Sequence, residues 1–107
     1  MVKQISPAEL AQLLRDGQPV HLVDVRQPWE HEQAAFPGSQ LVPLGELAAR
    51  VGEIEPPEGA RVVVYCHHGV RSLSGAAILE GAGIPAASLA GGIDRWSTEI
   101  DPAVPRY

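Results

Sequence analysis

Hydrophobic and polar positions along this chain change period several times, and each change predicts an element. Ser6-Pro7-Ala8-Glu9 carries a helix start: a Ser to cap, a Pro suited to the first helical position, and a Glu that completes a capping box. The pattern predicts a helix to about Arg15, broken by Asp16-Gly17-Gln18-Pro19. Val20-His21-Leu22-Val23-Asp24-Val25 is then short, apolar and β-branched, which predicts a buried strand ending beside charged residues. Pro28 to Glu32 predicts a short helix, and the turn chemistry of Phe36-Pro37-Gly38-Ser39 leads into a brief strand at Gln40-Leu41-Val42.

Leu44, Leu47, Ala48 and Val51 fall at i, i+3, i+4 and i+7, so a further helix of a turn or two is expected with those four facing the core. Pro56-Pro57-Glu58-Gly59 is a stiff linker. Arg61-Val62-Val63-Val64-Tyr65 is continuous, β-branched and flanked by breakers, the signature of a central strand. A helix from Ser72 to Glu80, ended by Gly81-Ala82-Gly83, is followed by a weak strand at Ala86 to Leu89 and a short helix at Gly91 to Glu99. The last residues, DPAVPRY, read as an extended tail. Strands alternating with helices through short links imply an α/β fold, one domain over residues 1–107, with a small, mostly parallel sheet and helices on both faces.

With 45% hydrophobic and 20% charged residues, the chain has the composition of a folded globular protein rather than a disordered one. Its net charge is −5 and its Lys and Arg residues are scattered singly, so nucleic acid is not an expected partner. The opening MVKQISPAEL lacks a signal-peptide pattern and no run approaches the ~20 apolar residues of a membrane span, so a cytoplasmic location away from membranes is expected.

The single cysteine, Cys66, excludes an intrachain disulfide and a multi-cysteine metal site. It leaves three readings: a buried small hydrophobe, a nucleophile or a dimer-linking thiol. Cys66 follows the strongest strand, where open α/β sheets bind ligands. The stretch Cys66-His67-His68-Gly69-Val70-Arg71 must then curl tightly into the helix, with its amides turned inward and Gly69 taking positive φ. Inward amides, a helix N-terminus and the charge of Arg71 all favour a thiolate, and the same cradle suits an anionic substrate. Ser72 is placed to cap the helix or to bond the sulfur. Two His, a Gly, an Arg and a Ser are poor core material, so the nucleophile reading prevails over the packed-core one.

These residues resemble the active-site loop of the rhodanese family, in YCHHGVRS. Leu22-Val23-Asp24-Val25-Arg26 with Glu30 and Pro37-Gly38 is similar to that family's first signature, and Gly91-Gly92-Ile93-Asp94-Arg95-Trp96 to its last. The resemblance implies a rhodanese-like fold with a sheet of about five strands. It also implies a thiosulfate sulfurtransferase in which Cys66 takes the outer sulfur of thiosulfate or a similar small anionic donor, holds it as a persulfide, and passes it to cyanide or a thiol. One departure is Ala34-Ala35-Phe36, where many members carry Gly-His-Ile; a changed pocket rim is expected there. The tail from Trp96 to Tyr107 resembles that of rhodanese domains fused to enzymes that activate sulfur-carrier proteins, which makes such a carrier an alternative acceptor.

Within this reading, His67, His68, Gly69, Val70, Arg71 and Ser72 line the substrate site, and Asp24 and Arg26 support it from behind. An ion pair between Arg26 and Glu30 is expected. His67 and His68 have no evident Cys or carboxylate partner, so neither a metal nor any other cofactor is expected. His21 and His31 read as structural or solvent-facing, Trp96 and Gly91-Gly92 as architectural, and Trp29 as partly exposed. A monomer or weak dimer is expected. The rival enzyme is a dual-specificity phosphatase, which also uses a Cys thiolate but has one residue more between its Cys and Arg than the four found here. A non-catalytic binding module is the other rival, opposed by the presence of Cys66, Arg71 and Ser72.

Overall fold

The continuous β-branched run Arg61–Tyr65 forms β4, flanked on both sides by parallel neighbours, with all but its first residue buried. The computed structural model describes residues 2–107. Around β4 lie β1 (Lys3–Ile5), β2 (Val20–Asp24), β3 (Gln40–Leu41) and β5 (Ala86–Leu89), all parallel, in the order β1-β5-β4-β2-β3. The helices are α1 (Pro7–Arg15), α2 (Pro28–Gln33), α3 (Leu44–Leu47), α4 (Arg71–Gly81) and α5 (Gly92–Glu99). None is long and apolar enough to cross a membrane.

Successive side chains of a strand point to opposite faces, and β4 shows what this does for the site. Val63 and Tyr65 enter one core with Leu10 and Ala11 of α1 and Ile93 and Trp96 of α5. Val62 and Val64 enter the other with Leu47, Ala76 and Leu79, and Cys66 continues that alternation beneath α4. Gly75 lets α4 approach closely: a Cβ there would stand 3.0 Å from Val64 Cγ1 and 3.2 Å from Val25 Cγ1. The small residues of α4 thus bring its first turn against the end of β4.

The capping box of Ser6 and Glu9 forms as the sequence predicts. Three features differ. Lys3–Ile5 makes an edge strand on β5, of which the buried Ile5 is the one hydrophobic anchor, too short a pattern to read in sequence. The helix expected over Leu44 to Val51 ends at Leu47 and tightens into a 3-10 segment at Ala48–Glu53, with Arg50 outside helical geometry. Ala48 faces solvent, whereas Leu47 is fully buried. Finally, the tail is not extended throughout. A turn closed by Val104 N–H donating to the Asp101 carbonyl (3.0 Å) returns Arg106 and Tyr107 to the active-site loop.

Leu47→Ala should lower unfolding free energy in urea by about 2–5 kcal/mol, whereas Ala48→Ser should stay within about 0.5 kcal/mol of the parent. Comparable losses at both positions would contradict this placement of Leu47 and Ala48.

Candidate active site

Cys66 sits at the floor of the loop between β4 and α4, 1% exposed. Its Sγ accepts hydrogen bonds from the backbone N–H of Gly69 (3.1 Å) and of Ser72 (3.3 Å). The second of these donors belongs to the first turn of α4, whose amides have no helical partner. Ser72 does not cap the helix; Val70 holds that place. Its hydroxyl instead lies 3.5 Å from Sγ and 2.7 Å from the Ser88 hydroxyl on β5, which fixes it beside the sulfur.

Two glycines make the loop possible. Gly69 has φ +91°, and a Cβ there would stand 2.8 Å from the Gly91 nitrogen. Gly92, with φ +65°, packs so closely that a Cβ would collide with the carbonyls of Cys66 and His67. Those carbonyls accept from the amides of Ile93 (2.9 Å) and Asp94 (3.1 Å). The glycine pair read as architectural therefore clamps the start of α5 onto the active-site loop.

Arg71 and Glu30 form a bidentate pair, Nη1 to Oε1 at 2.6 Å and Nη2 to Oε2 at 2.8 Å. Glu30 is buried and also accepts from Gln27 N–H and from the Tyr107 hydroxyl. The Arg71 guanidinium above all, helped by those two donors, holds the Glu30 carboxyl down at about 2 despite its burial. The ion pair expected between Arg26 and Glu30 does not form. Arg26 is fully buried and grips Asp24 two residues back (Nε to Oδ1 2.8 Å, Nη2 to Oδ2 2.7 Å), the Ala34 carbonyl and the Tyr107 hydroxyl (2.7 Å). His31 completes this network on Asp24 at 2.8 Å, while His21 reaches Gln40.

Tyr107 is the residue that sequence reasoning missed. Its hydroxyl joins Glu30 to Arg26, and its ring stacks on His67 at 4.0 Å and meets the exposed Trp29 edge-on. Burial pushes its phenol up to about 12. His67 is stacked on its other side by His68, at 3.9 Å, and burial, then the neighbouring His68, lowers its pKa. A carboxylate that sequence spacing did not place there, Asp94, stands close to both imidazoles and is itself bound by Arg106. Phe36 packs in the core against Tyr65 and Trp96, and with Ala35 it lines a concavity away from Cys66 rather than the active-site loop. Two concavities, of about 190 and 150 Å³, lie away from Cys66, one by Lys3 and Glu80 and the other by Leu14 and Val104.

The Glu30 pair makes a pH prediction. A carboxyl at 4.5 when unfolded and about 2 when folded adds stability that is complete above 4.5 and is lost as pH falls toward 2. Glu30→Gln should cost about 1–3 kcal/mol at pH 7 and should flatten the fall in melting temperature between pH 5 and pH 2, a window set by that shift. An acid slope equal to the parent's would contradict this role.

The chain matches the rhodanese-like domain over residues 6–99. It is 35% identical to the probable adenylyltransferase/sulfurtransferase MoeZ of Mycobacterium tuberculosis over 96% of this chain, and spans only 26% of that relative's length. It is 36% identical to a sulfurtransferase of Allochromatium vinosum, covering 97% of this chain and 96% of the relative. A rhodanese-related protein from Thermoplasma volcanium superposes with a TM-score of 0.83 at 27% identity, covering 98% and 99% of the two chains. The match takes in the amide-lined cysteine loop and the segments that flank it, and this chain belongs to the rhodanese-like domain family.

Proposed function

We propose that the protein moves a sulfane sulfur from thiosulfate or a persulfide donor to a thiophilic acceptor through a persulfide on Cys66. The observation that carries this reading is the sulfur's place between two backbone donors, Gly69 and Ser72 N–H. Donors fixed in advance stabilise charge on sulfur without reorganising during reaction.

In the first step Cys66 sulfur attacks the outer sulfur of thiosulfate. A new S–S bond forms at Sγ, the bond between the two thiosulfate sulfurs breaks, and its electron pair leaves with sulfite. In the second step the acceptor attacks the outer sulfur of the persulfide, and the electron pair of that S–S bond returns to Sγ. Cyanide becomes thiocyanate; a thiol becomes a persulfide. The residues from His67 to Ser72 form the wall past which both partners approach, with Val70 exposed at its tip.

Phosphate ester hydrolysis is the poorer fit. Both Nη atoms of Arg71 are committed to Glu30, which leaves the backbone amides of the loop as the donors for an incoming anion of either kind. The four-residue spacing between Cys66 and Arg71 supplies fewer amides than a phosphate cradle needs. Among acceptors, a small sulfur-carrier protein is a second reading. It is favoured by the likeness to MoeZ, whose name joins adenylyltransferase to sulfurtransferase, and by exposed Val70 and Trp29 on the surface.

Mixed with thiosulfate and cyanide, the protein should release thiocyanate, and Cys66→Ser should reduce that rate by roughly a thousandfold or more. An undiminished rate in the Ser variant, or aryl phosphate hydrolysis without thiocyanate formation, would overturn the assignment.

A further inference from the structure

The clamp between α5 and the active-site loop brings His67 and His68, in the loop wall, together with Asp94, and none of the three forms or breaks a bond in the sulfur transfer. His67 Nε2 lies 4.0 Å from Asp94 Oδ1, His68 Nε2 lies 3.9 Å from Asp94 Oδ2, and ligand atoms of all three fall within 4.8 Å of one another. His67 Nε2 is also buried with no hydrogen-bond partner, the one such side-chain atom among the described residues. A buried polar atom without a partner is costly and rare in folded proteins. The His67 ring is held in place by Tyr107 on one face and His68 on the other.

We propose that His67, His68 and Asp94 form a binding site for a borderline divalent transition-metal ion of the Zn²⁺ class, beside the active-site loop. Two imidazole nitrogens and a carboxylate oxygen suit such an ion better than the hard Mg²⁺ or Ca²⁺, which take all-oxygen shells, or the soft ions that prefer thiolates. Zinc bonds to N and O of ~2.0–2.2 Å set tetrahedral donors roughly 3.3 Å apart, so the two His–Asp separations must close by about 0.6–0.7 Å and the two imidazole nitrogens must approach each other as well. His68 is 64% exposed and turns off its stack on His67 to bring its Nε2 to the ion, and the Asp94 carboxylate, anchored at its backbone N–H, turns toward His67 as Arg106 leaves. The fourth position is open to water. Cys66 is outside the site, its sulfur being directed to the Gly69 and Ser72 amides.

Arg106 is the resident competitor. Its exposed guanidinium makes two bonds to the Asp94 carboxylate, at 2.9 and 3.2 Å, and a bound metal ion displaces it. A cluster that merely pairs His with Asp has no such competition with a metal.

The test is calorimetric titration with Zn²⁺ in a Cys66→Ser background, which removes the thiol as an alternative ligand. Saturable binding of a single Zn²⁺ per chain is expected, weakened about tenfold or more by Asp94→Asn and by His68→Ala, an exposed position whose truncation spares the fold. Arg106→Ala should tighten binding severalfold. Absence of saturable binding, affinity unchanged in both ligand variants, or no gain on removing Arg106 would overturn the site.

Discussion

Two backbone hydrogen bonds hold this structure's chemistry together: the amides of Ile93 and Asp94 donate to the carbonyls of Cys66 and His67. They join the end of the central strand to the start of the last helix, and Gly92 permits the contact because any side chain there would strike those same carbonyls. With the carbonyls turned toward α5, the loop's following amides are left to face inward. Gly69, at a φ open to few other residues, completes the curl. Helix α4 then delivers the Ser72 amide to sulfur because Gly75 allows it close contact with Val64 and Val25. Packing on both faces of the sheet thus decides the geometry at one atom.

The charged groups nearby serve a different end. Arg71 is tied to Glu30, Arg26 to Asp24, and Tyr107 bridges the two pairs through one hydroxyl. Each buried charge has an opposite partner and further hydrogen bonds, the condition under which burial is tolerated. This network stiffens the rim while leaving neutral backbone dipoles as the groups nearest the sulfur.

Much of the fold was legible because the sheet is buried on both faces and its strands are written as apolar runs between breakers. Arg61–Tyr65 and Ala86–Leu89 agree with their sequence limits. Lys3–Ile5 was not legible, since a three-residue edge strand with one buried side chain carries no period. Ala48 shows the converse: a clean helical spacing places it in the core, yet it is exposed where α3 gives way to the 3-10 segment. In the site, Cys66, Gly69 and Ser72 are near neighbours in sequence, and local chemistry was enough to group them. Glu30 beside Arg71, Tyr107 beside Arg26 and Asp94 near His67 all come from far along the chain, and only the folded topology brings them together.

The central claim is that sulfur is carried covalently on Cys66. Thiosulfate labelled isotopically in its outer sulfur, followed by nonreducing peptide mapping, tests it most directly. The account predicts one labelled sulfur on the peptide containing Cys66, removed by a subsequent wash with cyanide. Label absent from that peptide, or retained when Cys66 is replaced by Ser, would contradict it.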